Sequence, residues 1–351
     1  MNVEENKPLA SFTTFGVGGP ARWFAEARRE DDVVAATAFA RGRSIPLFVL
    51  GGGSNLLVAD EGFHGLVLHI ALKGIQAQPD QDSNCLYCVA AGEDWDAFVQ
   101  RTVADDCAGI ECLAGIPGTV GGTPVQNVGA YGQEVAASIE RVRAFDLRAS
   151  RFVELSATEC GFAYRRSRFN TDDRGRYVVT RVDYRLARGG RPALRYADLQ
   201  LEFADRPAPS LAEVAEAVRR IRRSKGMLLV EGDVDCHSAG SFFKNPVVSR
   251  ELLAHIAQSA RKEPPAFPAG QGADAGSVKV PAAWLIEQAG FGKGFVRGHA
   301  GISARHTLAL INRGEASAAE VLALASEISS AVDARFGVRL EKEPVLLGFD
   351  V

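Results

Sequence analysis

The stretch IPGTVGGTPVQNVGAYG, residues 116–132, decides how the rest of the chain is read. Gly118, Gly121, Gly122, Gly129 and Gly132 stand there among small and polar side chains. Glycine lets backbone come close to a ligand and lets successive N–H groups point at one oxyanion, so such a loop holds phosphate without a basic side chain. A diphosphate-bearing cofactor is its natural occupant, and a run of tight turns is the alternative. A second glycine turn, Gly51, Gly52, Gly53, Ser54 and Asn55, follows the apolar run PLFVL at 46–50, and the pairing of two such loops favours the cradle.

Working outward, 22–27 is strand-like, 30–41 has helical apolar spacing and stops at Gly42, and 46–50 is a buried strand, which makes a β-α-β unit. Strands at 66–70 and 86–91 and a helix over 94–105 precede the long glycine loop, and strands at 139–147 and 177–186 follow it. Ser210 with Glu213 has capping-box spacing before the stripe Leu211, Val214, Val218 and Ile221. Ser317 with Glu320 repeats the signature before Val321, Leu324, Ile328 and Val332, and Gly337 ends that helix. Pro281 opens a helix through Trp284 and Leu285 that stops at Gly290, and 261–276, rich in Pro, Gly and Ala, reads as a loop. The change of character near 210–225 marks a domain boundary. At 351 residues the mixed pattern predicts an α+β protein of two or three domains.

The net charge of −3 gives no electrostatic reason to expect a nucleic-acid partner. The run Arg219, Arg220, Arg222, Arg223 and Lys225 reads as the solvated, dipole-complementing end of a helix, with anion recognition as the second reading. The start, MNVEENKPLASFTTF, lacks the basic and apolar regions of a signal peptide, and no apolar run reaches the roughly 18 residues that span a bilayer. Cysteines 85, 88, 107, 112, 160 and 236 include one CxxC pair, on an expected strand, and are read as ordinary reduced thiols. The histidines form no HExxH cluster, so no metal is expected. The chain reads as a cytosolic enzyme or binding protein.

Gly16, Gly18 and Ala21 match GxGxxG/A, yet a strand rather than a helix follows them, which speaks against a Rossmann site, and no P-loop motif occurs. Tyr164, Arg165, Arg166 and Ser167 place a guanidinium beside an aromatic ring, suited to a carboxylate or phosphate, or else form a solvated basic patch. In SAGSFFKNP, 238–246, small neighbours leave the Ser241 hydroxyl reachable, with Lys244 and Asn245 nearby; an ordinary Asn-Pro turn is the alternative. No G-x-S-x-G elbow surrounds Ser241, so a serine hydrolase is disfavoured. Glu341 and Glu343 in LEKE form one wet face, or one of them is a buried proton-donating carboxyl.

Taken in order, TFGVGG (14–19), LGGGSNLLV (50–58), AGIPGTVGGTPVQNVGAYG (114–132), CGFAYRRSRF (160–169), SAGSFFKNP (238–246), SVKVPAAWLIEQAG (277–290) and RLEKE (339–343) resemble the UDP-N-acetylenolpyruvoylglucosamine reductases over nearly the whole chain. The resemblance implies non-covalent FAD held by two N-terminal α+β subdomains of the vanillyl-alcohol-oxidase type, residues 1–75 and 76–215. It further implies an α+β substrate-binding domain at 216–340 and a segment, 341–351, that returns to the active site. NADPH is the implied co-substrate, and the expected protein is a monomer of the cytoplasm that makes a peptidoglycan precursor. The enolpyruvyl ether of UDP-N-acetylglucosamine would take a hydride at C3 and a proton at C2, giving UDP-N-acetylmuramate.

Carried over by motif, Arg165, Ser241 and Glu343 match the catalytic positions. Tyr131, Tyr164, Tyr196, Lys225, Asn245 and Lys279 match substrate positions. Gly51, Gly53, Ser54, Asn55, Ile116, Pro117, Gly118, Gly121, Gly122, Thr123, Gln126, Asn127 and Gly129 match flavin contacts. An enol ether is electron-rich, so hydride addition needs its carboxylate as electron sink, a charge that Arg165 and Glu343 would stabilise. Ser241, a weak acid, would deliver the C2 proton through a donor network such as one that includes Lys244. Three features set this chain apart: a long 226–237 segment, Lys342 where proline is common, and LRYADL around Tyr196, which points to the subtype with an added tyrosine loop. Another flavoprotein of the same cofactor superfamily, or a nucleotide-sugar binding protein without catalysis, are the competing readings.

Overall fold

The strand Tyr177–Arg188 is the spine of the larger sheet, with Ile139–Asp146 on one edge and Asn84–Ala90 on the other, both antiparallel. Its valines and aromatics alternate with Arg181, Asp183 and Arg185 on the polar side, and Val182 and Tyr184 are fully buried. Arg151–Ser156 and Ile75–Pro79 complete the outer rows, and Cys107–Ala108 pairs with the end of the spine. In the computed structural model, residues 1–79, 84–205, 208–269, 274 and 276–349 are described.

These residues divide into two units that interleave in sequence. The first is Met1–Lys7, Ala21–Gly52 and His64–Arg223; the second is Pro8–Pro20, Gly53–Phe63 and Ser224–Val351. The first unit contains the spine sheet and a four-stranded sheet in the order Val3–Pro8, Pro20–Ala27, Phe63–Ile70, Leu47–Leu50. Leu47–Leu50, which follows helix Glu30–Gly42, runs parallel to Phe63–Ile70. Its core gathers Trp95, Phe98, Tyr87 and Tyr184, whose rings meet at centroid distances of 5.1 to 5.9 Å.

The second unit is built around helix Ala318–Phe336. Ser317 and Glu320 close its capping box, Gly337 ends it at φ +67°, and Val321, Leu324, Ile328 and Val332 are fully buried. Each such side chain contributes about 2 kcal/mol by leaving water. The early segments join this unit by specific bonds. Asp60 accepts from the amides of Ala318 and Ala319 at 2.7 and 2.9 Å, and Asn312 Nδ2 donates to Phe15 O at 3.0 Å. Leu56–Val58 runs parallel to Val345–Leu347.

The expected helices at 94–105 and from Ser210 are present as Trp95–Ala104 and Leu211–Ser224, and Ser210 and Glu213 exchange their capping bonds. Helix Ala282–Gln288 starts at Pro281. The expected loop over 261–276 holds a short strand, Phe267–Pro268, paired with Val278–Lys279; residues 270–273 and 275 of it lie outside the described residues. Gly16 and Gly18 do lead into strand Pro20–Ala27 rather than a helix, and a Cβ on Gly18 would meet Val58 Cβ at 2.6 Å. These glycines serve close packing. The six cysteines are free thiols.

Candidate active site

Gly52, the second residue of the first glycine turn, lies directly against the second loop: a Cβ on it would come 2.6 Å from Gly118 Cα and 3.2 Å from Thr119 N. Gly51 approaches Thr119 Oγ1 equally closely, at 2.8 Å from its would-be Cβ. The two glycine turns, far apart in sequence, thus meet backbone to backbone, which any side chain would prevent. A Cβ on Gly122, by contrast, would meet nothing within 4 Å among the described residues. Thr119 Oγ1 is buried without a hydrogen-bond partner among the described residues. A backbone-lined concavity with an open glycine and an unspent hydroxyl fits the diphosphate of a dinucleotide such as FAD.

The rest of that loop is tied down from within. Thr123 is buried and its hydroxyl bonds Tyr184 Oη at 2.7 Å and Val120 O at 2.8 Å. Asn127, at φ +45°, spends its side chain on Glu134, on Ala136 N and on Ala163 O at 3.1 Å. The side chains of these two expected cofactor residues therefore hold the loop's shape, and only their backbone is left for a ligand.

Asn127 also connects the loop to the arginine turn. Ala163 and Arg166 exchange backbone bonds of 2.9 and 3.0 Å, a tight turn whose tip is Tyr164 and Arg165, with Arg165 at φ +55°. Ser167 Oγ donates to Val125 O at 2.5 Å, and Arg165 Nη2 donates to Gly129 O at 2.8 Å. Arg165 also lies over the Tyr164 ring, 5.3 Å from its centroid. The purely solvated reading of this basic patch therefore fails: its arginine is aimed along the glycine loop. Tyr131, at φ +48°, meets Tyr196 edge to face with centroids 5.2 Å apart.

The helix-end basic run is likewise not simply solvated. Arg219 pairs with Asp96, Arg220 with Glu202, and Arg222 is buried, its Nε donating to Gly115 O at 3.0 Å. Asp96 accepts from Gly115 N at 2.5 Å, so two helices grip both polar ends of the residue that begins the loop. Burial pulls the Arg222 guanidinium below the usual arginine range. Apart from its composition, nothing in the run 219–225 points to this grip.

The second unit gathers a separate group of expected residues. Phe242–Lys244 pairs antiparallel with Glu341–Glu343: Glu343 N donates to Phe242 O and Lys244 N to Glu341 O, each at 2.9 Å. Ser241, half-buried, therefore stands beside the strand that carries Glu343. Gly240 gives the turn before it, at φ +73°. Asn55 fixes the same strand, since its Nδ2 donates to Glu343 O at 3.2 Å and its carbonyl accepts from Val345 N at 3.0 Å. Gly53 could be nothing else, because a Cβ there would fall 1.8 Å from Phe12 O, and Ser54 O accepts from Thr14 Oγ1.

The Lys244 ammonium pairs with the exposed Glu341. That pairing also separates the two acids of LEKE in role. Asn245 Oδ1 accepts from Ala282 N at 2.9 Å and so caps the helix after Pro281; its Nδ2 remains the end suited to a ligand. Lys279 sits on the middle strand of a three-stranded sheet, opposite Val247 and Phe267. Lys225 follows helix Leu211–Ser224 and, with Lys293, faces His306. Burial first, then these two cations, hold the imidazole down at about 4 against a weaker pull from Glu287. The long segment after Lys225 is clasped by Arg305, which bonds Asp233 at 2.5 Å and Asp235 at 2.8 Å.

Known proteins resemble this chain over most of its length. Residues 21–156 match the FAD binding domain model, and residues 232–347 match the model of the UDP-N-acetylenolpyruvoylglucosamine reductase C-terminal domain. The UDP-N-acetylenolpyruvoylglucosamine reductase of Thermobifida fusca is 46% identical over 98% of this chain and 97% of its own. That of Streptomyces coelicolor is 48% identical over 97% and 89%. The crystal structure of the Thermus caldophilus UDP-N-acetylenolpyruvylglucosamine reductase superposes with a TM-score of 0.67 at 28% identity, covering 99% of each chain.

Proposed function

This chain belongs to the UDP-N-acetylenolpyruvoylglucosamine reductase family, and on that premise we propose how its residues share out the reaction. It is an FAD-dependent oxidoreductase that uses NADPH to reduce the enolpyruvyl ether of UDP-N-acetylglucosamine to UDP-N-acetylmuramate, a peptidoglycan precursor. Bound FAD, once reduced by NADPH, supplies the hydride that the enolpyruvyl group takes at C3. The protein's part is to bind, to place charge and to deliver a proton.

Gly51, Gly53, Ser54, Asn55 and the loop from Ile116 through Gly118, Gly121 and Gly122 to Gln126 and Gly129 hold the cofactor, largely through backbone. Arg165 stabilises the negative charge that spreads into the substrate carboxylate as the hydride adds, and Glu343 hydrogen-bonds the same developing charge. Ser241 gives its hydroxyl proton to C2 and recovers one from solvent. Tyr131, Tyr164, Tyr196, Asn245 and Lys279 bind the nucleotide sugar. Lys225, whose charge reaches His306 beside Lys293, meets its anionic part. The stretches 1–75 and 76–215 serve as flavin-binding subdomains and 216–340 as the substrate domain, in a monomer of the cytoplasm.

The observation that supports this reading is the bond from Glu343 N to Phe242 O at 2.9 Å, which brings residue 343 alongside the segment that carries Ser241. Ser241→Ala tests it. NADPH-driven bleaching of the flavin should proceed as in the parent while product formation stops. Equal loss of both half-reactions would make Ser241 a structural or cofactor residue.

A further inference from the structure

Glu111 is 1% exposed, and both its carboxylate oxygens are engaged inside the first unit. Oε2 accepts from Gly109 N at 2.8 Å; Oε1 accepts from Gln133 Nε2 at 2.7 Å and from Ala193 N at 2.9 Å. A carboxylate this deep is costly unless it is hydrogen-bonded, and here two backbone amides and one side-chain amide donate to it. The three donors come from three segments: the turn before the glycine loop, the residue just past Gly132, and the root of the segment that carries Tyr196. Two further bonds close the knot. Cys112 N donates to Gln133 Oε1 at 2.8 Å, and Cys112 Sγ donates to Ala193 O at 3.2 Å. Burial keeps the Cys112 thiol protonated, which suits it as that donor.

Beyond Ala193 the arm is packed onto the glycine loop. Gly132, at φ +82°, leaves room for Arg195, whose Cβ lies 2.9 Å from where a Gly132 Cβ would be. Tyr196 then reaches Tyr131 edge to face, and Leu199 of helix Ala197–Glu202 is fully buried. The arm is thus packed on the loop through Arg195, Tyr196 and Leu199. Its seat depends on one carboxylate that also holds both flanks of the glycine loop.

We infer that Glu111 is the positioning residue that seats the Tyr196 arm on the glycine loop, and so sets the affinity for the nucleotide sugar. This rests on the reading of Tyr131 and Tyr196 as substrate residues. Glu111 touches neither substrate nor cofactor in this account; it acts through Gln133 and Ala193. Glutamine at this position keeps the volume but turns an NH2 toward at least one existing donor, so it breaks the knot without opening a cavity.

The test uses the FAD-loaded enzyme. Glu111→Gln should raise the KM for the enolpyruvyl nucleotide sugar about tenfold. The flavin-to-protein absorbance ratio, kcat and the maximal rate of flavin reduction at saturating NADPH should stay near the parent values. Tyr196→Ala should raise the same KM, and adding Glu111→Gln to it should raise KM no further. Multiplying effects, or an unchanged KM in Glu111→Gln alone, would overturn the inference. If Glu111→Gln does not fold, Gln133→Leu, which cuts the same knot and leaves Glu111 its two backbone donors, is held to the same criteria. If Tyr196→Ala leaves KM unaltered, the substrate role of that tyrosine fails. Limited proteolysis then still decides the seating: faster cleavage between Arg191 and Phe203 in Glu111→Gln upholds it, and unchanged cleavage refutes it.

Discussion

Arg165 Nη2 donates to the carbonyl oxygen of Gly129 at 2.8 Å, which joins the residue proposed to stabilise charge on the substrate to the loop proposed to hold the flavin. A Cβ on Gly129 would meet Glu134 Cγ at 2.7 Å, Gln133 O at 2.9 Å and Arg165 Nη1 at 3.4 Å. Gly129→Ala should therefore disturb the arginine as well as the loop. Arg165→Lys keeps the charge and loses the planar fork, and should lower kcat by about 100-fold with flavin content intact. Steady-state rates beside the flavin absorbance ratio check both. A lysine variant within twofold of the parent would remove Arg165 from the chemistry.

Gly53→Ala should be among the most damaging single-methyl changes. Its φ is +60° and the added carbon would fall 1.8 Å from Phe12 O, so the backbone of the second unit must move. The expected loss is on the order of 3 kcal/mol, read as a fall in Tm. Gly122→Ala, whose added carbon would meet none of the described residues within 4 Å, should leave the apoprotein's Tm near the parent and weaken FAD binding instead.

Much of this was legible in the sequence. The capping residues Ser210, Glu213, Ser317 and Glu320, the end at Gly337 and the two glycine loops are local signals, set by backbone groups a few residues away. Long-range placement was not. Nothing in Pro8–Pro20 or Gly53–Phe63 announces that they fold with the C-terminal unit, because the bonds that take them there reach Asn312 and Ala318. Strand Val3–Pro8 is a largely exposed edge with no apolar alternation, so it has no periodic signature. Helix Arg250–Ala260 buries only Ile256 completely, too thin a stripe to stand out, although Ser249 caps it. Glu111 and Arg222 look like ordinary surface charges until their partners, 22 to 107 residues away, are known. Thr123 and Asn127 sit in the right loop but face inward, which only packing determines.

Acid should weaken the first unit through Asp146. The Arg176 guanidinium beside it, helped by the amides of Ala149 and Arg148, holds its carboxyl down at about 2. A carboxyl depressed on folding stabilises above its unfolded value of about 3.9, and that stability is lost as pH falls toward 2. Asp146→Asn should lower Tm by a few degrees at pH 7 and flatten the loss between pH 4 and 2. A parallel acid profile in parent and variant would count against the assignment.

His306 should act in a higher window and for the opposite reason. Its imidazole is held at about 4 by burial and by Lys225 and Lys293. Between about 6.5 and 4 the unfolded chain takes up a proton that the folded chain refuses, so stability falls as pH drops through that range. His306→Gln should remove that slope. In the parent, the His306 ring resonances should not shift between pH 8 and 5.5; a midpoint near 6.5 would show an imidazole exposed to water.

The most direct test of the whole account is a single anaerobic turnover. NADPH added to the purified, oxidised enzyme should bleach the flavin's visible band, and one equivalent of the enolpyruvyl nucleotide sugar should restore it with formation of one equivalent of UDP-N-acetylmuramate. A flavin that stays reduced in the presence of that substrate until oxygen is admitted would contradict the account.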